Sequence, residues 1–196
     1  MHEHLIHPAE DCPPPGGFCR THELNILLLA ALYAVSRVLS RSLAFNESLR
    51  DVLEICTPRL LGAGVIVDWQ PAATLPPIIG RPLQLRMLFK ALVDNAIEAM
   101  NIKGWKRREL SLTSAVERDC VVIAVMDTGP GIPPDWRHKA FEPFFTAKTG
   151  VGKHIGTGLS RAQQVVADHG GIIDLEESPS GGCRAVVEFR LDGDPI

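Results

Sequence analysis

Cysteine is sparse, and the five present, Cys12, Cys19, Cys56, Cys120 and Cys183, are odd in number and widely scattered. No pair or quartet has metal-ligand spacing, which excludes a zinc site and a disulfide framework and leaves reduced thiols and a cytoplasmic location as the expectation. Charge of one sign is also lacking: 20 Lys and Arg stand against 23 Asp and Glu, for a net charge of −3. Such a balance gives no general attraction to nucleic acid or to an anionic lipid surface, so neither is expected as a partner. The one basic run, Lys103, Lys106, Arg107 and Arg108, reads as a solvated helix end. Long hydrophobic runs are missing too. The most apolar stretch, Leu24 to Leu39, is broken by Ser36 and Arg37, so no membrane span is expected, and the acidic, histidine-bearing start does not have the pattern of a cleaved leader. No internal repeat is visible.

What is present suits one compact core with an appendage: 45% of the 196 residues are hydrophobic. Residues 1–20, with Pro13-Pro14-Pro15-Gly16-Gly17, lack the pattern of any regular element and are expected to be a disordered arm. A helix is expected over 21–45, capped by Thr21 and running to near Ser42. Its stripe Leu24, Leu28, Ala31, Leu32, Val35 and Leu39 has coiled-coil-like spacing, which points to a homodimer or a partner helix. The remainder, 46–192, is the main domain. A helix is expected over Asn46 to Arg59, with Gly62 and Gly64 as its stop, and strands at Val65–Trp69, Glu109–Ser114, Val121–Met126, Gly171–Glu176 and Cys183–Arg190. Helices alternating with strands clustered towards the end predict an α/β sandwich (α+β). One mixed sheet would be covered on one face by helices, with a mobile lid over the site described next and an N-terminal dimerisation-like helix.

Four blocks carry chemistry. Leu85, Leu88, Phe89, Leu92, Ala96 and Ala99 recur at helical steps and make an amphipathic helix, with Asp94, Asn95 and Glu98 on or beside its polar side. An amide oxygen there can hold a hard cation that bridges phosphates. Next, the apolar run Val121 to Met126 delivers Asp127 onto Asp127-Thr128-Gly129-Pro130-Gly131-Ile132, a turn whose glycines admit close approach of backbone to a bound molecule. Phe141-Glu142-Pro143-Phe144-Phe145-Thr146-Ala147-Lys148 then places three aromatics and a lysine before a glycine-rich stretch, as a hinged lid requires. Finally Gly150 to Ser160 opens a helix towards His169, and its glycines and first amides can cradle phosphates.

In this order the blocks resemble the N, G1, F and G2 boxes of the GHKL ATP-binding fold, shared by sensor histidine kinases, gyrase, the Hsp90 chaperone and the MutL repair protein. The resemblance runs from about Asn46 to Phe189 and implies ATP or ADP with magnesium as ligands. It implies that Asn95 holds the metal, that Asp127 accepts the adenine amino group, that Gly129 and Gly131 line the base pocket, and that Lys148, Gly156, Thr157 and Gly158 face the phosphates. Ile132, Phe144 and Leu159 complete the implied nucleotide-binding set.

The gyrase, chaperone and MutL branch of that family carries a hydrolytic glutamate one helical turn before the metal asparagine. Ala91 stands there, so self-contained hydrolysis has no evident base. Phe141 to Lys148 and Asp168-His169-Gly170-Gly171 resemble the sensor-kinase branch instead, which implies phosphotransfer to a histidine and a response regulator or transcription activator as partner. Val67 to Pro71 together with Leu92 to Asn101 is similar to the nitrogen-fixation regulator NifL, which implies the alternative of a nucleotide-sensing module acting by protein contact. His154 departs from the family pattern, standing where the first glycine of the last box belongs. His22, in His22-Glu23-Leu24, is a phosphoacceptor candidate. It lacks the family's following proline and precedes one helix where a hairpin needs two, so a capping or solvent-facing histidine is the plainer reading.

Overall fold

The computed structural model describes residues 45–76, 80–102, 104–145 and 156–191. All of them belong to the second of two compact units, Met1–Arg37 and Val38–Ile196. The expected arm, the helix over 21–45 with its apolar stripe and His22, and the lid residues Lys148 and His154 lie outside the described residues.

Helix α1, described over 45–63, buries Phe45, Leu49, Val52, Cys56 and Leu60 at steps of three and four. It continues past the expected Arg59 and includes Gly62. The stop is Gly64 alone, at φ +65. Its amide bonds to the Leu61 carbonyl at 3.0 Å and the Val65 amide to the Leu60 carbonyl at 2.9 Å. This is a Schellman closure, with buried Leu60 and Val65 as its apolar pair. Asn46 ties the other end down, its Nδ2 donating to the Ala72 carbonyl at 3.0 Å and its Oδ1 accepting from the Ser114 hydroxyl at 3.2 Å.

Strand β1 (Ile66–Gln70) pairs in parallel with β2 (Glu109–Glu117), the crossover passing through helix α2 (Pro82–Met100). An antiparallel hairpin leads to β3 (Cys120–Asp127), and β4 (Gly171–Glu177) and β5 (Cys183–Arg190) close one mixed five-stranded sheet in the order β1-β2-β3-β5-β4. The predicted α/β fold, one mixed sheet with helices packed on it, is therefore the observed one. Register puts Leu110, Leu112, Val121, Ile123, Val125, Ala185, Val187 and Phe189 on one face, where they join the buried faces of α1 and α2. Phe45 sits between Phe89 and Phe189, with ring centroids 6.3 and 5.5 Å away, at the middle of this layer. Beyond β3 come two short pieces the periodicity does not announce, helix α3 (Pro134–Arg137) and a 3₁₀ turn (Lys139–Phe141), and then helix α4 (Gly158–Asp168).

The basic run after α2 corrects the sequence reading. The helix ends at Met100, Arg107 pairs with Glu109 at 2.9 Å, and Arg108 donates to the Ala63 carbonyl at the end of α1. Lys106 and Arg107 are exposed, as expected, and Arg108 alone, half-buried, joins α1 to the start of β2.

Candidate functional site

Alternation along β3 carries Asp127 to the helix-covered side of the sheet, and the residue is 4% exposed. A buried carboxylate requires donors. Its Oδ1 accepts the Gly129 amide at 2.8 Å, the bond of an Asx turn, and the Cys183 amide at 3.3 Å. Small residues make this closure feasible. A Cβ on Gly129 would stand 2.8 Å from Asp127 Oδ1 and 3.1 Å from Ala99 Cβ, and one on Gly182 would stand 2.2 Å from the Asp127 carbonyl oxygen. Helix α2, the 127–131 turn and the start of β5 therefore converge on one carboxylate.

Thr128 locks the turn from the other side. Its hydroxyl donates to the Arg107 carbonyl at 2.9 Å and accepts from the Glu109 amide at 3.0 Å, while Trp105 Nε1 donates to the Thr128 carbonyl at 2.7 Å. Sequence reasoning gave Trp105, Thr128, Gly182 and Cys183 no role. Thr128 lay inside a recognised motif, whereas Cys183 meets Asp127 only through sheet pairing 56 residues away. Burial pushes the Cys183 thiol up to about 12; the Asp127 charge adds to the rise and Arg137 opposes it.

Asn95 and Ala99 lie one turn apart on α2, so the half-buried Asn95 shares the helix face that touches Gly129. Its side chain has no hydrogen-bond partner among the described residues. The flanking carboxylates are engaged elsewhere. Asp94 is held by Arg59 and Lys90, and Arg59 also reaches Glu98 at 3.7 Å. Cys56 Sγ lies 3.8 Å from Asp94 Oδ1, and burial first, then the Asp94 charge, raises its thiol.

The two described ends of the glycine-rich segment meet. Phe144 N–H donates to the Gly156 carbonyl at 3.0 Å, and a Cβ on Gly156, at φ +67, would stand 2.6 Å from the Phe145 carbonyl oxygen. Phe144 itself sits at φ +68 with its ring 72% exposed, while Phe145 packs edge-on against Trp136 at 6.0 Å. Ile132 and Leu159 are partly buried against the core. Thr157 is the N-cap of α4 without a side-chain cap bond, and the Arg161 amide is bonded to the Thr157 carbonyl at 3.2 Å. By helix geometry the amides of Gly158, Leu159 and Ser160 have no intrahelical acceptor, and they form the positive end of the helix. A concavity of about 410 Å³ opens beside the strand end, lined by Asp68, Glu109, Ser111 and Ser178 together with Asp127 and Thr128 of the turn. It shares Asp127 and Thr128 with the candidate site and includes neither Asn95 nor Gly129.

The fold agrees with the comparisons. Residues 80–193 match the family model of histidine kinase-, DNA gyrase B-, and HSP90-like ATPases, and the chain belongs to that family. The catalytic domain of the histidine kinase ThkA superposes with a TM-score of 0.64 at 26% identity, over 74% of this chain and 91% of that one. The sensor histidine kinase GtrS of Pseudomonas aeruginosa is 33% identical over 170 residues, covering 86% of this chain and 33% of the relative. The sensor histidine kinase TmoS of Ectopseudomonas mendocina is 37% identical over 130 residues, covering 65% of this chain and 13% of the relative. The chain thus spans a third or less of these two relatives, and the part it shares is the ATP-binding catalytic domain of sensor histidine kinases. No helix among the described residues is long and apolar enough to cross a membrane.

Proposed function

We propose that the chain binds magnesium-ATP and presents the γ-phosphoryl group to a histidine as the catalytic module of a two-component sensor kinase, with a response regulator as the downstream partner. The observation that carries this reading is Asp127, a buried carboxylate prealigned by two backbone amides at the end of β3. Its carboxylate accepts the exocyclic amino group of adenine, where guanine would offer a carbonyl oxygen and be refused. Gly129, Gly131 and Ile132 form the wall against which the base lies. Thr157, Gly158 and Leu159 turn the amides of α4's first turn to the phosphates, whose charge the helix dipole favours. Lys148 adds a cation from the lid, and Phe144 marks its hinge.

The donor set suits magnesium. Asn95 supplies one neutral oxygen, its acidic neighbours are taken up by Arg59 and Lys90, and no cluster of three His, Cys, Asp or Glu capable of holding a metal occurs among the described residues. A cation that keeps most of its waters and binds chiefly to phosphates needs no more. When bound, it offsets phosphate charge during transfer. Because Ala91 offers no base to a water molecule, the γ-phosphoryl group is kept for a protein nucleophile.

Replacing Asp127 by Asn tests the pocket. Adenine-nucleotide binding should weaken by about 1.5–3 kcal/mol, the range for a hydrogen bond to a charged group; unchanged affinity by calorimetry removes Asp127 from the site. Incubation with γ-labelled ATP and magnesium tests the output. Acid-labile label on His22, or on a histidine of an added kinase hairpin, supports phosphotransfer. Tight nucleotide binding without label on either supports the nucleotide-sensing regulator instead.

A further inference from the structure

His169 caps two helices at once. As the C-cap residue of α4, its ring Nδ1 lies 2.6 Å from the Val165 carbonyl, one of the last carbonyls of that helix and so without a helical donor. Its Nε2 accepts the amide of Arg81 at 2.9 Å. Arg81 is the N-cap residue of α2, has no side-chain cap bond, and precedes Pro82. A carbonyl can only accept and an amide N–H can only donate, so Nδ1 carries the proton and Nε2 is bare. Two further contacts hold the ring. It stands edge-on to Phe189, with centroids 6.3 Å apart, and a Cβ on Gly80 would lie 3.4 Å from its Cδ2.

The start of α2 is therefore bonded to the end of α4, and the two helices pack on each other, with Ala162 and Val166 of α4 buried. The same two packed helices carry Asn95, on α2, and the amides of Gly158 to Ser160, in the first turn of α4. These are the two groups assigned above to metal and phosphates. We infer that His169 is a positioning residue: the bridge from Arg81 to Val165 sets the register of α4 against α2 and thereby the distance between Asn95 and the amides of Gly158 to Ser160. The inference rests on the nucleotide reading. It makes a distinction that reading does not, because the adenine pocket around Asp127 is held by its own bonds to Gly129 and Cys183 and does not pass through His169.

The test is calorimetric titration of the full chain with magnesium-ATP and, separately, with adenosine, for the wild type, His169→Asn and His169→Gln. An Asn amide can donate to the Val165 carbonyl and is too short for Arg81; a Gln amide is long enough to offer Arg81 an acceptor. His169→Asn should lose about fivefold or more in magnesium-ATP affinity with adenosine affinity within about twofold, and His169→Gln should recover most of the loss. Imidazole ¹⁵N spectra of the wild type should show Nδ1 protonated and Nε2 bare. A His169→Asn protein that binds magnesium-ATP as the wild type does, or that loses ATP and adenosine equally, overturns the positioning role, as does an Nε2-protonated ring. A wild type that binds neither ligand overturns the nucleotide reading itself, and this role with it.

Discussion

Single residues here do work that their type alone does not announce. Asp127 stood out as a candidate because a carboxylate at the end of an apolar run is followed by two glycines and stands in order with three companion blocks. Cys183 was not, because its contribution is a backbone amide and a buried sulfur brought in by β5. The cysteine makes its own prediction. Burial raises the folded thiol from 9.0 to about 12, so the native state retains a proton that the unfolded chain releases. Stability from this group is complete below about pH 9 and is lost as pH rises towards 12. Urea midpoints for the wild type should fall across that window, and Cys183→Ala should flatten the fall; parallel curves for the two proteins would assign the alkaline loss to other groups. Gly182 is the stricter case. Any side chain there meets the Asp127 carbonyl, so Gly182→Ala displaces the turn rather than merely straining it.

At the scale of elements, α2, β2 and β4 follow from periodicity, since each has one face in the core and one out of it, whereas β3 is legible as a continuous buried run and β1 is largely exposed. The boundaries that differ were set by partners. Strand β2 extends to Glu117 because β3 pairs with it as far as the Arg118-Asp119 turn, and α1 extends past Arg59 because Leu60 has core to fill. Gly64 is a clean test of the α1 stop. Nothing lies within 4 Å of a Cβ built there, so Gly64→Ala should cost only the left-handed backbone strain, about 1 kcal/mol, read as a shift in urea midpoint at unchanged slope. A neutral substitution would show that the closure contributes nothing. For the face of α2 assigned to the metal, Asn95→Ala should abolish the magnesium dependence of ATP binding and leave adenosine binding nearly intact. A wild-type magnesium response in that protein moves the metal to other ligands.

At the scale of the whole molecule, the stripe Leu24, Leu28, Ala31, Leu32, Val35 and Leu39 is the feature through which we propose that the chain pairs, by a two-fold helical contact. Placing Glu at Leu28 and Leu32 puts charge into that seam. Dimers should dissociate in sedimentation, while nucleotide affinity stays unchanged because the proposed pocket is built from residues beyond Leu88. A double variant that still sediments as the wild type removes the stripe from assembly.

The amino-acid sequence alone determined which segments bury a face, where a carboxylate meets glycines, and hence the family to which the chain belongs. These are local properties, carried by spacing along a few turns of helix or a few residues of strand. Tertiary structure decided what converges. The grip of Trp105 and Arg107 on Thr128, the second amide on Asp127, the anchoring of Arg108 at the end of α1, and the His169 bridge all join residues 21 to 88 positions apart in the chain. No periodicity encodes such pairs, because whether they meet depends on strand order, register and helix packing, which exist only once the sheet has formed.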